Sequence, residues 1–320
     1  MAIGNSSFTK LITTTLQNLP AEIIDAVSTN NALLYMLQKR GNIKIVSGGR
    51  SFTHPIYHKV NTSFKSYGKT DTIDTPLMDD ITRAEYPIKI VAGSVVISLL
   101  EEAMNAGNKE KLIDLVEETV TRAKLSMSEE LGNQVFSLGV GDNDFDGLRF
   151  LINSAPSTQT DVGGINPSTT GNDFWRNQIG TTADFSSVSA TSLGKMSALV
   201  AACTQGRQGP RLVVTTTTLY SEYEALLTSN IRYVTTELAD AGFLHLAYQT
   251  MPMVFDANCP SGEMYFVDTD NLWLQVLARG NMELTDMQPS HDQLMRVALL
   301  YVFGNLTCGS RRTQGYHPWS

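Results

Sequence analysis

Apolar side chains recur every three or four residues between residues 109 and 136, and this spacing predicts the longest helix of the chain. The apolar positions are Leu112, Val116, Val120, Ala123, Met127, Leu131 and Val135. They would line one face of the helix and leave the opposite face polar. A helix over these residues would be about 40 Å long at 1.5 Å per residue. Because this length exceeds the needs of a small domain, we expect other elements to pack across it.

Shorter helical patterns lie on both sides of this segment. The first forty residues predict helices over residues 8–19 and 29–40, and the second has Asn30 as its N-cap and Gly41 at its end. Further helices are predicted over residues 94–104, 192–203 and 220–227. The N-terminal helices carry few apolar residues, so we expect them to pack against another part of the structure.

Strand patterns alternate irregularly with these helices. The clearest strand is predicted over residues 83–90, where one side carries Ala84, Tyr86, Ile88 and Ile90. Other strands are predicted over residues 43–46, 211–217, 264–267, 272–277 and 297–306. No regular strand–helix–strand rhythm is present, so the sequence predicts a mixed α+β fold.

Residues 47–82 form a segment rich in Ser and Thr, and a structureless loop of about 36 residues is unusual in a compact domain. Its first half carries the basic residues Arg50, Lys59, Lys65 and Lys69, and its second half the acidic residues Asp71, Asp74, Asp79 and Asp80. The aromatic residues without a local core to enter are Phe52, Tyr57, Phe64 and Tyr67. We predict a projecting two-stranded arm that turns near Tyr67 and Gly68, with its aromatic residues against a neighbouring subunit. A disordered surface insertion is the alternative.

Composition narrows the class of protein. Apolar residues make up 42% of the 320 residues and charged residues 18%, which excludes a disordered chain. No apolar run could span a membrane, and residues 1–7 lack the features of a secretory signal. The net charge of −8 lacks the basic footprint of a general nucleic-acid binder. Cys203, Cys259 and Cys308 are too widely spaced for a metal motif, so we expect buried thiols in a reducing compartment.

Only one motif suggests a metal. Asp142, Asp144 and Asp146 match the opening of a calcium loop, with Gly147 at the turn. Position twelve of that loop is Asn153, which cannot supply the bidentate carboxylate. The three aspartates are therefore a weak metal candidate, and an acidic turn after the long helix is the favoured interpretation.

No other pattern indicates catalysis, and the sequence predicts no catalytic residue and no cofactor. His54 and His58 are four residues apart, but Pro55 lies between them, so a helical metal site is not expected. Arg311 and Arg312 are expected to be a solvated pair.

The order of the elements resembles a known family. After the arm, the long helix and the acidic turn come three short motifs: Val162-Gly163-Gly164-Ile165-Asn166-Pro167-Ser168, Phe174-Trp175-Arg176-Asn177, and Gly304-Asn305-Leu306 with Arg311-Arg312-Thr313-Gln314-Gly315. With this order of elements, the chain resembles the major capsid proteins of tailed bacteriophages, the Hong Kong 97 type.

The resemblance implies a division of the chain. Residues 1–42 would form an N-terminal arm, and residues 43–92 an extended loop with its base strands. Residues 93–154 and 286–320 would form a peripheral domain with a spine helix at about 109–136, and residues 155–285 an axial domain. The expected inter-subunit contacts are Phe52, Tyr57, Lys59, Phe64, Lys65, Tyr67, Lys69, Asp71 and Asp74.

The resemblance also implies a function. The chain would be a structural protein, not an enzyme, that self-assembles as hexamers and pentamers into an icosahedral head around double-stranded phage DNA. It would be located in the virion after assembly in the host cytoplasm. Its acidic charge would allow only weak, non-specific contacts with the packaged DNA.

The expected partners follow from the same resemblance. Some members begin with a cleaved scaffolding segment, but a spine helix starting near residue 109 leaves no room for one. We therefore expect a separate scaffolding protein and a portal. Some members form Lys–Asn cross-links, and Lys59, Lys65 and Lys69 lie in the corresponding loop, but no partner Asn or catalytic Glu is evident. Two alternatives stay open: an encapsulin-like compartment shell, and a calcium-dependent enzyme or adhesin.

Overall fold

The computed structural model describes residues 31–319, except for residues 60, 62, 74, 76–79, 106–108, 140–142, 183–189 and 227–244. Its helices are α1 (Ala32–Lys39), α2 (Leu99–Asn105), α3 (Lys109–Val135), α4 (Leu148–Leu151), α5 (Ala190–Cys203) and α6 (Thr217–Leu226). The helix predicted over residues 8–19 lies outside the described residues. No described helix is both long enough and apolar enough to cross a membrane.

The strands form two larger sheets and one hairpin. They are β1 (Ile43–Val46), β2 (Ser51–Tyr57), β3 (Ile81–Pro87), β4 (Lys89–Ser98), β5 (Gln178–Ile179), β6 (Leu212–Thr215), β7 (His245–Tyr248), β8 (Met251–Phe255), β9 (Glu263–Val267), β10 (Leu272–Leu277), β11 (Glu283–Leu284), β12 (Gln288–Pro289), β13 (Met295–Cys308) and β14 (Gly315–Pro318). The mixed α+β class is confirmed.

Helix α3 matches its prediction closely. It runs for 27 residues, and its described seam residues are buried at Val116, Val120, Met127, Leu131 and Val135. The side chain of Leu112 lies outside the described part of the chain. The seam packs mainly against β4 and also against β13, so the regular apolar spacing produced one continuous contact along the first sheet.

Helix α1 begins one residue later than predicted. Its N-cap is Asn31, whose side-chain oxygen accepts a hydrogen bond from the Leu34 amide at 3.0 Å. The helix ends as expected at Gly41, where φ is +70°, a conformation that glycine adopts without steric cost. Its apolar face belongs to the main hydrophobic core.

The first sheet is organised by β13. Strand β4 pairs with its first ten residues, and β10 pairs with its last five. Strand β1 extends this sheet by pairing in parallel with β10. Residues 94–98 continue β4, so the helix predicted from Ser94 is wrong in its first five residues and begins only at Leu99.

The strand predicted over residues 83–90 is in fact two strands. The alternation breaks at Ile88, between β3 and β4, so the sides exchange there. Lys89 is therefore buried and Ile90 is exposed, the reverse of the prediction. A period-2 pattern cannot show such an exchange, because one extra residue moves every later side chain to the opposite face.

The second sheet has the order β5-β14-β9-β6-β8-β7 and separates two hydrophobic clusters. In β6, Leu212 and Val214 belong to the main core, whereas Val213 belongs to a second cluster with α5 and α6. Strand β10, within residues 155–285, pairs in the first sheet, and β14, within residues 286–320, pairs in the second.

Candidate assembly surface

Strands β2 and β3 form the antiparallel hairpin that the charge pattern predicts. The register runs from Ser51 opposite Pro87 to Tyr57 opposite Ile81, and the His58 amide continues it by donating to the Asp80 carbonyl at 3.1 Å. The described residues between His58 and Asp80 therefore lie beyond this pairing. Near the predicted turn, the Asp71 carboxylate accepts a hydrogen bond from the Gly68 amide at 2.6 Å.

The projecting part of the hairpin exposes apolar side chains. Phe64 is 86% exposed, and Tyr57, Ile73 and Ile81 are each more than 60% exposed. Tyr67 is half-buried, and its hydroxyl donates to the Ser63 carbonyl at 2.8 Å. Side chains of this kind contribute most when a partner covers them, since burial of each stabilises by about 1.5–3 kcal/mol.

The burial of Phe52 contradicts its expected contact with a neighbouring subunit. It is only 3% exposed and belongs to the chain's own core, opposite Tyr86 on β3. A residue buried in this way is not available to a neighbouring subunit. The prediction failed because the core that receives Phe52 comes from segments far away in sequence.

Four described charged side chains between residues 58 and 80 are exposed. Lys59, Lys65, Lys69 and Asp71 are exposed, and in the described part of the hairpin the only ion pair joins Arg83 to Glu85. The Lys65 ammonium lies 5.4 Å from the Tyr67 ring centroid, a cation–π distance. Asp74 lies outside the described residues. These charges are therefore available for contacts with another molecule.

The Gly163-Gly164 turn packs against strand β3 of the hairpin. Gly163 and Gly164 have φ values of +63° and +74° and form a tight turn closed by the Val162–Ile165 bridge. The Gly163 carbonyl accepts a hydrogen bond from the Glu85 amide of β3 at 2.8 Å. A Cβ on Gly163 would lie 3.1 Å from the Tyr86 ring, so only glycine allows this close approach.

Arg311 is buried and hydrogen-bonds to three separate segments, contrary to the expectation of a solvated pair. It is 0% exposed and donates to the carbonyls of Leu151 and Trp175 at 2.8 and 3.0 Å. It also donates to the side-chain oxygens of Gln159 and Asn177 at 2.5 and 3.3 Å. Burial lowers the pKa of this guanidinium to about 10, which leaves it charged at neutral pH. No local pattern marks it, because its acceptors come from three distant segments.

His54 is a core residue rather than a ligand. Its ring stacks on Trp273 with centroids 4.6 Å apart and lies 3.0 Å from the Thr307 hydroxyl. Burial, and to a lesser degree the Lys44 ammonium, lowers the pKa of His54 to about 4. It therefore stays neutral at physiological pH and contributes packing and hydrogen bonds.

The acidic turn contains a buried ion pair between Asp146 and Lys89. The Asp146 carboxylate lies 2.8 Å from the Lys89 ammonium and accepts from the Asn305 amide at 2.7 Å. The Lys89 ammonium also donates to the Asp144 carbonyl, and Asp142 lies outside the described residues. Within the described ranges, no group of three His, Cys, Asp or Glu side chains could hold a metal. The positive Lys89 side chain takes the place a cation would need at Asp146.

On one side of the first sheet, the described part of the chain leaves several apolar side chains exposed. Helix α3 covers the side of β4 and β13 that holds Val95 and Leu300. The opposite side pairs Ile90 with Phe303, Ala92 with Tyr301, Ser94 with Leu299 and Val96 with Val297. Ile90, Val96 and Leu299 are exposed, and the Tyr301 and Phe303 rings stack with centroids 4.7 Å apart. We call this the outer face; a contiguous apolar face of this kind is typical of an interaction site.

Solved structures with the same arrangement of elements identify the fold. The capsid asymmetric unit of cyanophage A-1(L) matches with a TM-score of 0.66 and 14% identity, over 88% of this chain and 91% of that one. The chain has the fold of phage capsid proteins. The capsid of a native GTA particle matches with a TM-score of 0.55 and 14% identity, over 88% and 89% of the two chains.

An encapsulin also has a similar fold. The SrpI encapsulin from Synechococcus elongatus PCC 7942 matches with a TM-score of 0.55 and 9% identity, over 87% of this chain and 84% of that one. No protein-family model and no curated protein matches the sequence. The resemblance seen in the sequence is thus confirmed for the fold.

Proposed function

We propose that the chain is the major capsid protein of a tailed phage, with a Hong Kong 97-type fold. It acts as a structural, non-enzymatic subunit that forms hexamers and pentamers of an icosahedral head around double-stranded DNA. The observation that carries this proposal is a pair of apolar surfaces on a capsid fold: the projecting hairpin and the outer face of β4 and β13. Within the described chain neither surface is covered.

The two apolar surfaces fit together in one contact, in which one subunit supplies the hairpin and its neighbour supplies the outer face. We assign the hairpin of one subunit to the outer face of its neighbour, where Tyr57, Phe64 and Ile73 would meet Tyr301 and Phe303. Burying three such side chains would stabilise one contact by about 5–9 kcal/mol. Because both surfaces belong to every copy, each subunit gives and receives one contact, as rings of like subunits require.

The remaining elements take their roles from this arrangement. Helix α3, backed by the first sheet, serves as the spine of the peripheral domain, and the second sheet with α5 and α6 forms the axial domain. Hundreds of copies at −8 each would repel packaged DNA, so wall contacts with DNA are weak and non-specific. A separate scaffolding protein and a portal complete the head, and the location is the virion after assembly in the host cytoplasm.

An encapsulin-like compartment is the second candidate, and the match to the SrpI encapsulin favours it. Such a shell would enclose a cargo protein instead of DNA. Mass spectrometry and nuclease-protection assays on purified particles separate the two: protected DNA supports the phage head, whereas one co-purified protein without nucleic acid supports the compartment.

Negative-stain electron microscopy of the purified chain, expressed with and without its neighbouring genes, tests the proposal. We expect closed shells, or hexamers and pentamers, for the natural sequence. The double variant Phe64→Asp with Ile73→Asp should keep its circular dichroism spectrum and lose the shells. Leu193→Asp, at an exposed position on α5, is the matched control and should assemble.

Two results would count against the proposal in different ways. Monodisperse monomers of the natural sequence under every condition would refute the capsid function. Normal shells from the Phe64→Asp, Ile73→Asp variant would refute the assigned hairpin contact and leave the capsid function standing.

A further inference from the structure

Three buried side chains meet where the base of the hairpin packs on the first sheet. They are His54 of β2, Gln275 of β10 and Thr307 of β13, and none of them is more than 8% exposed. The Thr307 hydroxyl lies 3.0 Å from Nε2 of His54, and the side-chain nitrogen of Gln275 lies 3.2 Å from the same atom. A hydroxyl, an imidazole and a carboxamide therefore converge on one nitrogen atom.

The sheet register and one ring contact hold these three groups in place. In the β10–β13 ladder, Gln275 lies opposite Asn305 and Trp273 lies opposite Thr307. Because side chains alternate along each strand, Gln275 and Thr307 project from the same face of the sheet. The stacking of the His54 ring on Trp273, on that same face, fixes the plane of the imidazole between them.

A cation lies beside the carboxamide. In the parallel β1–β10 pair, Lys44 lies opposite Gln275, so the two side chains are neighbours on one face of the sheet. The Lys44 ammonium lies 4.4 Å from the centroid of the Trp273 ring, which places it on the side of the sheet that holds His54. A positive charge in this position favours the negative charge that develops on a carbonyl oxygen when a nucleophile attacks it.

The arrangement has the parts of an acyl-transfer site. A hydroxyl becomes a nucleophile when an adjacent neutral imidazole takes its proton, and His54, whose pKa burial lowers to about 4, is neutral at physiological pH. In the tautomer that carries its ring proton on Nδ1, Nε2 of His54 accepts the hydrogen of Thr307. This contact is shorter than the other one that the hydroxyl makes, 3.2 Å to the Trp273 carbonyl. Because Thr307 is fully buried, the acyl group that it attacks has to come from the chain itself, and the Gln275 carboxamide shares its base.

We propose that Thr307 and Gln275 join in an ester bond between β13 and β10, with loss of ammonia. Oγ1 of Thr307 attacks Cδ of Gln275 while its proton passes to Nε2 of His54, and the π electrons of the carbonyl move to its oxygen. When the tetrahedral intermediate collapses, the C–N bond breaks, and the leaving nitrogen takes the proton from Nε2 and departs as ammonia. The reaction occurs once per chain and consumes no other reactant. It does not depend on the proposed shell function.

Mass spectrometry of the purified full chain tests this bond. The intact mass should lie below the mass of the sequence by one molecule of ammonia. A tryptic digest should contain one pair of peptides joined through Gln275 and Thr307. Hydroxylamine cleaves esters and leaves amides intact, so treatment with it should separate the two peptides.

Three variants assign the roles of the side chains, and circular dichroism confirms that each variant folds. Thr307→Ser keeps the hydroxyl, so it is the matched control and should show the same loss of ammonia. Thr307→Val has a similar size but no nucleophile, so it should keep the full mass. His54→Gln has no imidazole to take the proton, so it should slow ester formation by about a hundredfold or more.

Several results would overturn the proposal. Full mass for the folded natural sequence after prolonged incubation would show that the ester does not form, whatever the variants do. Loss of ammonia that persists in Thr307→Val would place the reaction at another side chain. Ester formation at the natural rate in His54→Gln would refute the role of His54 as the base. Because the masses are measured on the chain itself, assembled or not, none of these results depends on shell formation.

Discussion

Replacing Arg311 by Met should destabilise the subunit by about 4 kcal/mol. The substitution keeps an unbranched apolar stem but removes the donors to four oxygen atoms. Two of these are the buried carbonyls of Leu151 and Trp175, and each buried acceptor left without a donor costs about 1–3 kcal/mol. The two carbonyls alone therefore account for about 2–6 kcal/mol.

Urea unfolding of dissociated subunits, followed by tryptophan fluorescence, measures this loss. Trp175 is fully buried and its carbonyl accepts from Arg311, so its emission reports on the region. Arg312→Met is the matched control next in sequence and should change stability by less than about 0.5 kcal/mol, as exposed substitutions do. A loss below about 1 kcal/mol for Arg311→Met would refute the view that this residue holds the three segments together.

Three further predictions concern the same framework. Gly163→Ala should lower the free energy of unfolding by more than about 2 kcal/mol, because its Cβ would clash with Tyr86 and its φ is positive. Gly164→Ala meets open space and has only the positive φ, so it should lower the free energy of unfolding by about 1–2 kcal/mol. Thermal unfolding of the two variants measures the difference. Lys89→Met should cost about 3–5 kcal/mol by leaving Asp146 buried and unpaired, and adding Asp146→Leu should recover part of it, as urea unfolding of both variants would show. Because the pKa of His54 is lowered to about 4 from 6.5, the unfolded chain binds the proton first, and stability should fall from pH 6.5 towards pH 4. His54→Gln should reduce that slope in urea titrations, and an unchanged slope would contradict the assignment.

The elements that the sequence predicts best are those whose signal is local and long. The seam of α3 spans seven turns of one helix, and the charge pattern of residues 47–82 matches the β2–β3 hairpin. A periodic pattern over many residues tolerates single exceptions. The predicted bounds of α5, β10 and β13 therefore agree with the observed ones within two residues. Their burial followed from the same periodicity.

Long-range packing was not predictable from these patterns. Arg311 and Arg312 are adjacent and chemically identical, yet one is buried and the other is exposed. The acceptors of Arg311 lie 134 to 160 residues away in sequence, which no local period records. Phe52 and Tyr57 differ for a local reason, because the alternation of β2 places them on opposite faces of the strand.

The length of β13 has a mechanical consequence. At about 3.4 Å per residue, its 14 residues span about 48 Å and bond to β4 along one part and to β10 along the other. The hydrogen bonds of an antiparallel ladder lie across the strands, so a pull along β13 loads them in shear, all at once, instead of opening them one by one. In the shell proposed above, a wall stretched by its contents would therefore be stiffest along the direction of this strand.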